Sequence, residues 1–311
     1  MKIDIFLSFL LIMFGSVFIP LDVNAGNCSI FPKDNPWNTK IAHLPVHPNS
    51  HAYIKSIGLK GHLHADFGTK WKGAPNGIPF VIVNSLTKMQ KVNFEYSDES
   101  DSGPYPIPKN PPIEGGPKGQ GDRHIIMINY ESCILYELYD TWPPGTKPGK
   151  DKSKWFAGSG AIFNLSSNKL RPEGWTSADA AGLPIFPGLV KYEEVKKGSI
   201  NHALRFTVQA SQKAYIHPAT HFASNKKDPD LPPMGLRLRL KADFKISRFS
   251  REAQIILQAL KTYGMFLADN GSNWYISGEP NEKWDNDLLH ELQAVPGSAF
   301  EAVDTGEKIH Y

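Results

Sequence analysis

Three side chains in the segment 62–66, those of His62, His64 and Asp66, have the types and spacing that could hold a metal ion. Alternate side chains of a β-strand point to one face, so in an extended segment all three would lie together. Imidazole and carboxylate groups are ligands of zinc and related divalent metals. His217 or His221 could complete such a set. The alternative is that these are surface histidines with ordinary hydrogen bonds.

Asp179 is a second candidate, because it is the only charged residue in the stretch 174–190. A carboxyl group in apolar surroundings must find hydrogen-bond donors or keep its proton, and one that keeps its proton can act as a general acid. Glu193 or Asp122 could supply the second carboxylate of a pair that cleaves glycosidic bonds. The alternative is structural: Ser177 would cap a helical turn, and Asp179 would complement its dipole.

A third group of residues could bind a substrate. In a strand over 200–208, Asn201 and Arg205 fall on one face, where the guanidinium group could hold a substrate carboxylate through two hydrogen bonds. His217 and His221 follow in the next segments and could contribute to binding. A histidine near such a face could also abstract a proton beside a uronate, as in a polysaccharide lyase. The alternative is an outer strand face that is merely polar.

The pattern around these candidates predicts mostly β-structure. Ser250 and Gly264 bound the clearest helix, and shorter helices are predicted at 50–57 and 285–292. The Asn270-Gly271 dipeptide predicts a hairpin that joins 265–268 to 274–277. Apolar or alternating runs predict further strands at 78–83, 92–96, 125–130, 133–139, 200–208, 214–217 and 236–244.

These elements predict one mainly β domain over residues 26–311. Strands do not alternate regularly with helices, which argues against a barrel or a doubly wound sheet. We expect an antiparallel β-sandwich or jelly-roll-like domain with long Pro/Gly loops and two or three short helices. The 26 glycines and 25 prolines concentrate in loops such as 100–122.

The N-terminal residues predict export. Residues 1–25 combine a basic start, an apolar core and a small-residue exit, the pattern of a signal peptide, and no later apolar run is long enough to span a bilayer. We therefore expect a secreted or periplasmic protein that is a monomer. In that compartment Cys28 and Cys133 most simply form a disulfide, the alternative being a metal or nucleophilic role. The net charge of +3 comes from dispersed basic residues, which predicts no nucleic-acid partner.

Four segments, 177–189, 201–207, 232–242 and 263–272, resemble a group of secreted bacterial proteins known only as hypothetical. The likeness covers nearly the whole chain after residue 25. It implies an exported bacterial protein, and it implies no catalytic residue.

The sequence favours an exported carbohydrate-active enzyme, either a polysaccharide hydrolase or a lyase, that needs no cofactor. Asp179 would be the acid, Glu193 or Asp122 its partner, and Arg205 with Asn201 would position a glycan. Tryptophans in loop-like contexts could stack on sugar rings; they are Trp71, Trp142, Trp155 and Trp284. One alternative is a metal-dependent hydrolase with a zinc-like centre at 62–66. Another is a glycan-binding or envelope protein without catalysis.

Overall fold

The computed structural model describes residues 28–310, so the predicted signal peptide at 1–25 lies outside the described residues. The described chain contains four α-helices: α1 (Ser50–Ile57), α2 (Tyr192–Lys197), α3 (Arg251–Thr262) and α4 (Asn286–His290). It also contains sixteen short strands: β1 (His64–Asp66), β2 (Lys70–Trp71), β3 (Ala74–Pro75), β4 (Phe80–Ile82), β5 (Val92–Phe94), β6 (Ile125–Asn129), β7 (Ile134–Tyr139), β8 (Trp155–Ala157), β9 (Ser159–Asn164), β10 (Leu204–Val208), β11 (Ala214–Ile216), β12 (Arg237–Leu240), β13 (Met265–Asn270), β14 (Tyr275–Ser277), β15 (Phe300–Val303) and β16 (Lys308–His310).

The strands form two main sheets, and the prediction of a mainly β fold is confirmed. A six-stranded sheet has the order β1-β14-β10-β13-β12-β15, and a four-stranded sheet has the order β4-β6-β7-β9. Both sheets are mixed: β10 runs parallel to β13 but antiparallel to β14, and β4 runs parallel to β6. The expectation of purely antiparallel sheets is therefore wrong.

The predicted hairpin at the Asn270-Gly271 turn is also wrong. β13 and β14 are joined by this turn, but β10 lies between them in the sheet. The Gly271 amide donates to the Val208 carbonyl at the end of β10, at 2.8 Å. An Asn-Gly dipeptide favours a local chain reversal, but the partner of each strand depends on which apolar strand can be buried there. Nearly all of β10 is buried, so it takes the central position.

The helices agree better with the sequence pattern. Ser250 caps α3, its hydroxyl oxygen accepting from the Ala253 amide at 3.4 Å, and α3 packs against β12. α2 is an additional helix that the sequence pattern did not indicate, and it ends at Gly198 in the left-handed region at φ +96°. Glu193 therefore lies on a helix rather than at a sheet edge.

The proline-rich segment 100–122 is irregular, as predicted, but parts of it are buried. Tyr105, Ile107 and Ile113 belong to a second apolar cluster, together with side chains from β6 and β7. This packing matters for function, because it fixes the start of the segment 114–124 against the four-stranded sheet.

The predicted disulfide between Cys28 and Cys133 is confirmed, with Cα atoms 5.4 Å apart. It ties the start of the described chain to the turn between β6 and β7. The longest described helix, α3, has 12 residues, and none of the described helices is long and apolar enough to cross a bilayer.

Candidate functional site

A buried ion pair between Arg205 and Asp179 lies at the centre of the candidate site. Nε and Nη2 of Arg205 donate to the two carboxylate oxygens of Asp179 at 3.1 and 2.7 Å, and Nη1 donates to the hydroxyl of Ser277 at 2.5 Å. Asp179 is 0 % exposed and Arg205 is 4 % exposed as side chains. Every guanidinium nitrogen of Arg205 thus donates within the protein, in the paired geometry that makes such contacts strong.

A tight turn holds Asp179 in place. The hydroxyl of Ser177 accepts from the Asp179 amide at 2.8 Å, and the Gly182 amide donates back to the Asp179 carbonyl at 3.1 Å. Gly182 has φ +73°, and a Cβ atom there would collide with the side chain of Thr220, so the position needs glycine. Ser177 caps this turn much as the structural alternative proposed, although no helix follows it in the described chain.

His124 and Glu114 form a second buried ion pair beside the first. Nδ1 of His124 lies 2.6 Å from Oε2 of Glu114, and Nε2 lies 3.0 Å from the Ala178 carbonyl oxygen. A carbonyl oxygen only accepts, so Nε2 carries a proton. Although burial opposes the shift, Glu114 raises the pKa of His124 to about 9. His124 is consequently an imidazolium that donates from both nitrogens.

Three further carboxylates surround these pairs. Asp66 ends β1 and Asp122 precedes β6, both exposed, while Asp269 is half-buried in β13. Burial, together with the charges of Asp179 and Asp122, raises the pKa of Asp269 to about 7. Burial and then the charges of Glu114 and Asp122 also raise the pKa of Asp66. A carboxyl group titrating near neutral pH beside others that stay ionised is a common feature of active sites.

The cluster carries excess negative charge. With every group ionised, five carboxylates face two cations, a formal charge of −3. We call this group the carboxylate cluster; its acidic members are Asp66, Glu114, Asp122, Asp179 and Asp269, and its cations are His124 and Arg205. These residues come from five separate parts of the chain, and strand order brings them together.

Sequence reasoning found part of this cluster. Asp122, Asp179 and Arg205 were predicted as site residues, and Asp66 was predicted as a metal ligand, but Glu114 and Asp269 were not predicted. Asp269 precedes the Asn-Gly turn and was interpreted as a turn residue. The available signal was a carboxylate in the otherwise apolar run that begins at Met265.

Two predicted roles do not agree with the positions of the side chains. Arg205 is buried and each of its guanidinium nitrogens donates to Asp179 or Ser277, so it does not offer a free guanidinium group to a substrate. Asp179 is buried against it and does not face solvent. Asn201 does not share a strand face with Arg205, because β10 begins only at Leu204 and Asn201 is exposed before it.

Glu193 also lies outside the carboxylate cluster. Together with Asn201 it lines a separate cavity of about 810 Å³. The predicted pairing of Glu193 with Asp179 is therefore not realised, because Glu193 lines this cavity and Asp179 is buried beside Arg205.

The two other predicted binding histidines differ in position. Nδ1 of His221 lies 2.8 Å from the carbonyl oxygen of Ala180, the residue after Asp179. His221 also lines an open depression of about 400 Å³ with Tyr96 and Glu99. His221 is thus near the carboxylate cluster. His217 instead pairs with Glu173, its Nε2 atom lying 2.7 Å from Oε1, on an exposed part of the surface.

The predicted metal ligands at 62–66 do not converge. His64 stacks on Tyr275, with ring centroids 4.0 Å apart, whereas Asp66 faces the carboxylate cluster. Among residues 28–310 a single group brings three possible ligand atoms within 4.8 Å of one another: Glu114, Asp122 and His124. Nε2 of His124 donates to the Ala178 carbonyl, so Nδ1 is the ring atom that faces these carboxylates, and a metal ion there would have to replace the hydrogen bond between Nδ1 and Glu114.

The fold and the site define a mainly β protein with a solvent-facing carboxylate cluster built on a buried Arg–Asp pair. Comparison with protein-family models, with curated proteins and with solved structures gave no match. The functional argument consequently depends on the geometry and charge of the site.

Proposed function

We propose that this protein is an exported glycoside hydrolase in which Asp269 is the general acid and Asp122 is the second carboxylate. The observation that carries the proposal is the convergence of carboxylates from distant segments around the Arg205–Asp179 pair. Concentrated like charge costs stability, and proteins keep such arrangements chiefly at functional sites. Export is supported by the predicted signal peptide and by the Cys28–Cys133 disulfide.

Asp269 has the properties of a proton donor. Its pKa of about 7 leaves a large fraction of the carboxyl protonated at neutral pH. In the proposed reaction Asp269 gives this proton to the glycosidic oxygen as the bond to the anomeric carbon breaks. Asp122, which is exposed, either attacks the anomeric carbon or removes a proton from the attacking water. In this proposal Asp269, and not Asp179 as the sequence predicted, is the general acid. The negative charge of Asp179 instead helps to keep the Asp269 carboxyl protonated.

The charge of the carboxylate cluster favours hydrolysis over elimination. Glycoside cleavage passes through a transition state resembling an oxocarbenium ion, which is positively charged and is stabilised by surrounding carboxylates. A lyase removes a proton beside a uronate carboxylate and builds up negative charge, which requires free cations. Each guanidinium nitrogen of Arg205 and both ring nitrogens of His124 already have a partner within the protein.

Trp71 is a candidate sugar platform. It lies on the β2–β3 hairpin, which begins four residues after Asp66, and it is 67 % exposed. An exposed indole ring offers a flat apolar face on which a sugar ring can stack. Trp155 and Trp284, by contrast, are buried and so are not free to stack on a sugar.

The test is a screen for release of reducing ends from a panel of neutral and anionic polysaccharides. Asp269→Asn and Asp122→Asn should each lower turnover by about 100- to 10,000-fold, the contribution expected of positioned acid–base groups. Asp243→Asn, on an exposed turn, is the matched control and should leave turnover unchanged. Binding of a glycan by the wild type without any turnover would favour the non-catalytic alternative. An unsaturated uronate product would identify a lyase.

A further inference from the structure

The cavity of about 810 Å³ is separate from the carboxylate cluster. Its walls are the segment 29–31, the strand β4, Tyr130, the turn 186–187 and the region from α2 to His202. Among the described residues, those that line the cavity and those that form the cluster do not overlap. Its volume falls within the range of about 300–1,000 Å³ that is usual for small-ligand sites.

The disulfide fixes one wall of this cavity. Cys28 immediately precedes the lining segment 29–31, and Cys133 lies three residues after Tyr130, which also lines the cavity. The cross-link therefore ties these two parts of the lining to each other. A preformed cavity loses less ordering entropy when a ligand binds than one that must assemble.

The cavity contains three polar side chains that form a linked group. Nε2 of His202 lies 3.0 Å from a carboxylate oxygen of Glu194, and Nζ of Lys191 lies 3.3 Å from the same ring nitrogen. Nζ of Lys191 is also 3.5 Å from each carboxylate oxygen of Glu194 and 3.3 Å from the Leu189 carbonyl. Charge-assisted hydrogen bonds are usually about 2.7–2.9 Å long. Lys191 can consequently form a shorter bond to a ligand without losing a strong one.

The cavity carries no net charge from its Lys and Glu side chains. Three lysines, Lys33, Lys191 and Lys197, are balanced by three glutamates, Glu193, Glu194 and Glu279. An anionic ligand would meet the glutamates, and a cationic ligand would meet the lysines. A purely apolar ligand would take the three polar side chains out of water without providing partners for them, which is costly.

Apolar side chains also line the cavity. Phe80 and Tyr130 are half-buried, and Ile82, on the edge strand β4, is 59 % exposed. A pyranose ring has one apolar face of C–H groups and an edge of hydroxyls that both donate and accept. Such a ring matches a cavity that is lined both by apolar side chains and by Lys191, Glu194 and Asn201.

We propose that this cavity is a second binding site, which takes a short stretch of a neutral oligosaccharide and performs no chemistry. Hydroxyl groups accept from Lys191 and donate to Glu194, and the apolar ring face contacts Tyr130 and Ile82. The site would hold a glycan chain independently of the carboxylate cluster, and it does not depend on that cluster being catalytic.

The test uses isothermal titration calorimetry in the Asp269→Asn background, so that cleavage does not complicate binding. The probes are oligosaccharides of glucose, mannose or xylose, with oligogalacturonate as the anionic comparison. We expect at least one neutral probe to bind, and a part of that binding to depend on this cavity. Glu194→Gln should weaken it about tenfold, the loss expected for a hydrogen bond to a charged group. Glu282→Gln, an exposed glutamate paired with Lys70 outside the cavity, should have no effect.

A second variant guards against loss of folding. Ile82→Ser changes an exposed apolar side chain that lines the cavity, so it should weaken the same binding. The melting temperature should stay within about 2 °C of that of the wild type, because surface substitutions usually change stability little. No binding of any neutral probe, preferential binding of oligogalacturonate, or binding unaffected by both variants would overturn the proposal. A catalytically inactive wild type that still binds through Glu194 and Ile82 would refute the hydrolase and keep this site.

Discussion

Replacing Asp269 by Asn should remove activity and at the same time stabilise the protein at neutral and alkaline pH. Burial, with the charges of Asp179 and Asp122, raises the pKa of Asp269 from 3.8 to about 7. A carboxyl whose pKa is raised by folding makes the folded state progressively less stable as the pH rises through that interval. A pKa difference of about three units between the folded and unfolded states lowers the free energy of unfolding by about 4 kcal/mol once the pH exceeds about 7. Asn carries no charge and avoids this cost.

The substitution should otherwise be mild. Oδ1 of Asp269 accepts from the Asn270 amide at 2.7 Å, and the amide oxygen of Asn can accept the same hydrogen bond. The difference in stability between variant and wild type should therefore be near zero at about pH 4 and should grow until about pH 7. A change of 1 kcal/mol in the free energy of unfolding shifts the melting temperature of a chain of this size by about 2 °C. Above pH 7 the melting temperature of the variant should therefore exceed that of the wild type by roughly 8 °C.

The measurement is thermal unfolding by circular dichroism at several pH values, with turnover measured on the same samples. Asp243→Asn is the control and should produce no pH-dependent difference. A variant that is less stable than the wild type at alkaline pH would show that Asp269 is stabilised as a carboxylate, contrary to our reasoning. Full activity in a stabilised variant would remove Asp269 from the mechanism while leaving the electrostatic account intact.

Four other outcomes can be checked by unfolding and kinetics. Cys28→Ser with Cys133→Ser opens a loop of 105 residues and should cost about 4–5 kcal/mol in denaturant titrations. Asp179→Asn leaves a buried guanidinium without its counter-charge and should cost about 3–5 kcal/mol by the same method, whereas an unchanged midpoint would contradict the ion pair. Trp71→Ala should raise KM with little change in kcat or melting temperature, and a large loss of stability would argue against a free sugar platform. Because its pKa is raised to about 9, His124 should contribute stability that is complete below about pH 6.5 and lost as the pH rises through about 9, and His124→Gln should abolish that pH dependence.

Much of the secondary structure could be predicted because its causes are local. The helix α3 follows from the Ser250 cap and a regular apolar stripe, and the antiparallel β6–β7 pair follows from two apolar runs joined by a short turn. The pairing of the only two cysteines was also accessible to simple reasoning, since an oxidising compartment leaves few other outcomes.

The direction of individual side chains was less accessible. The alternation of leucine and basic residues along β12 would place Arg237 on a polar outer face, but it is buried and donates to the carbonyl oxygens of Tyr263, Pro36 and Thr39. A strand at the middle of a sheet can have both faces covered, so alternation of polar and apolar residues does not by itself identify a solvent-facing side. The same reasoning explains why Arg205 was wrongly placed on an open face.

The sequence by itself determined the mainly β composition, the disulfide and the strongest helix. It also marked four members of the carboxylate cluster as candidate site residues: Asp66, Asp122, Asp179 and Arg205. Only the tertiary structure decided that Glu114 and Asp269 join them and that Glu193 does not. Local patterns report how a segment lies relative to its immediate neighbours. The meeting of β13, β14 and β1 around β10 depends on contacts between residues far apart in the chain, and that strand order creates the site.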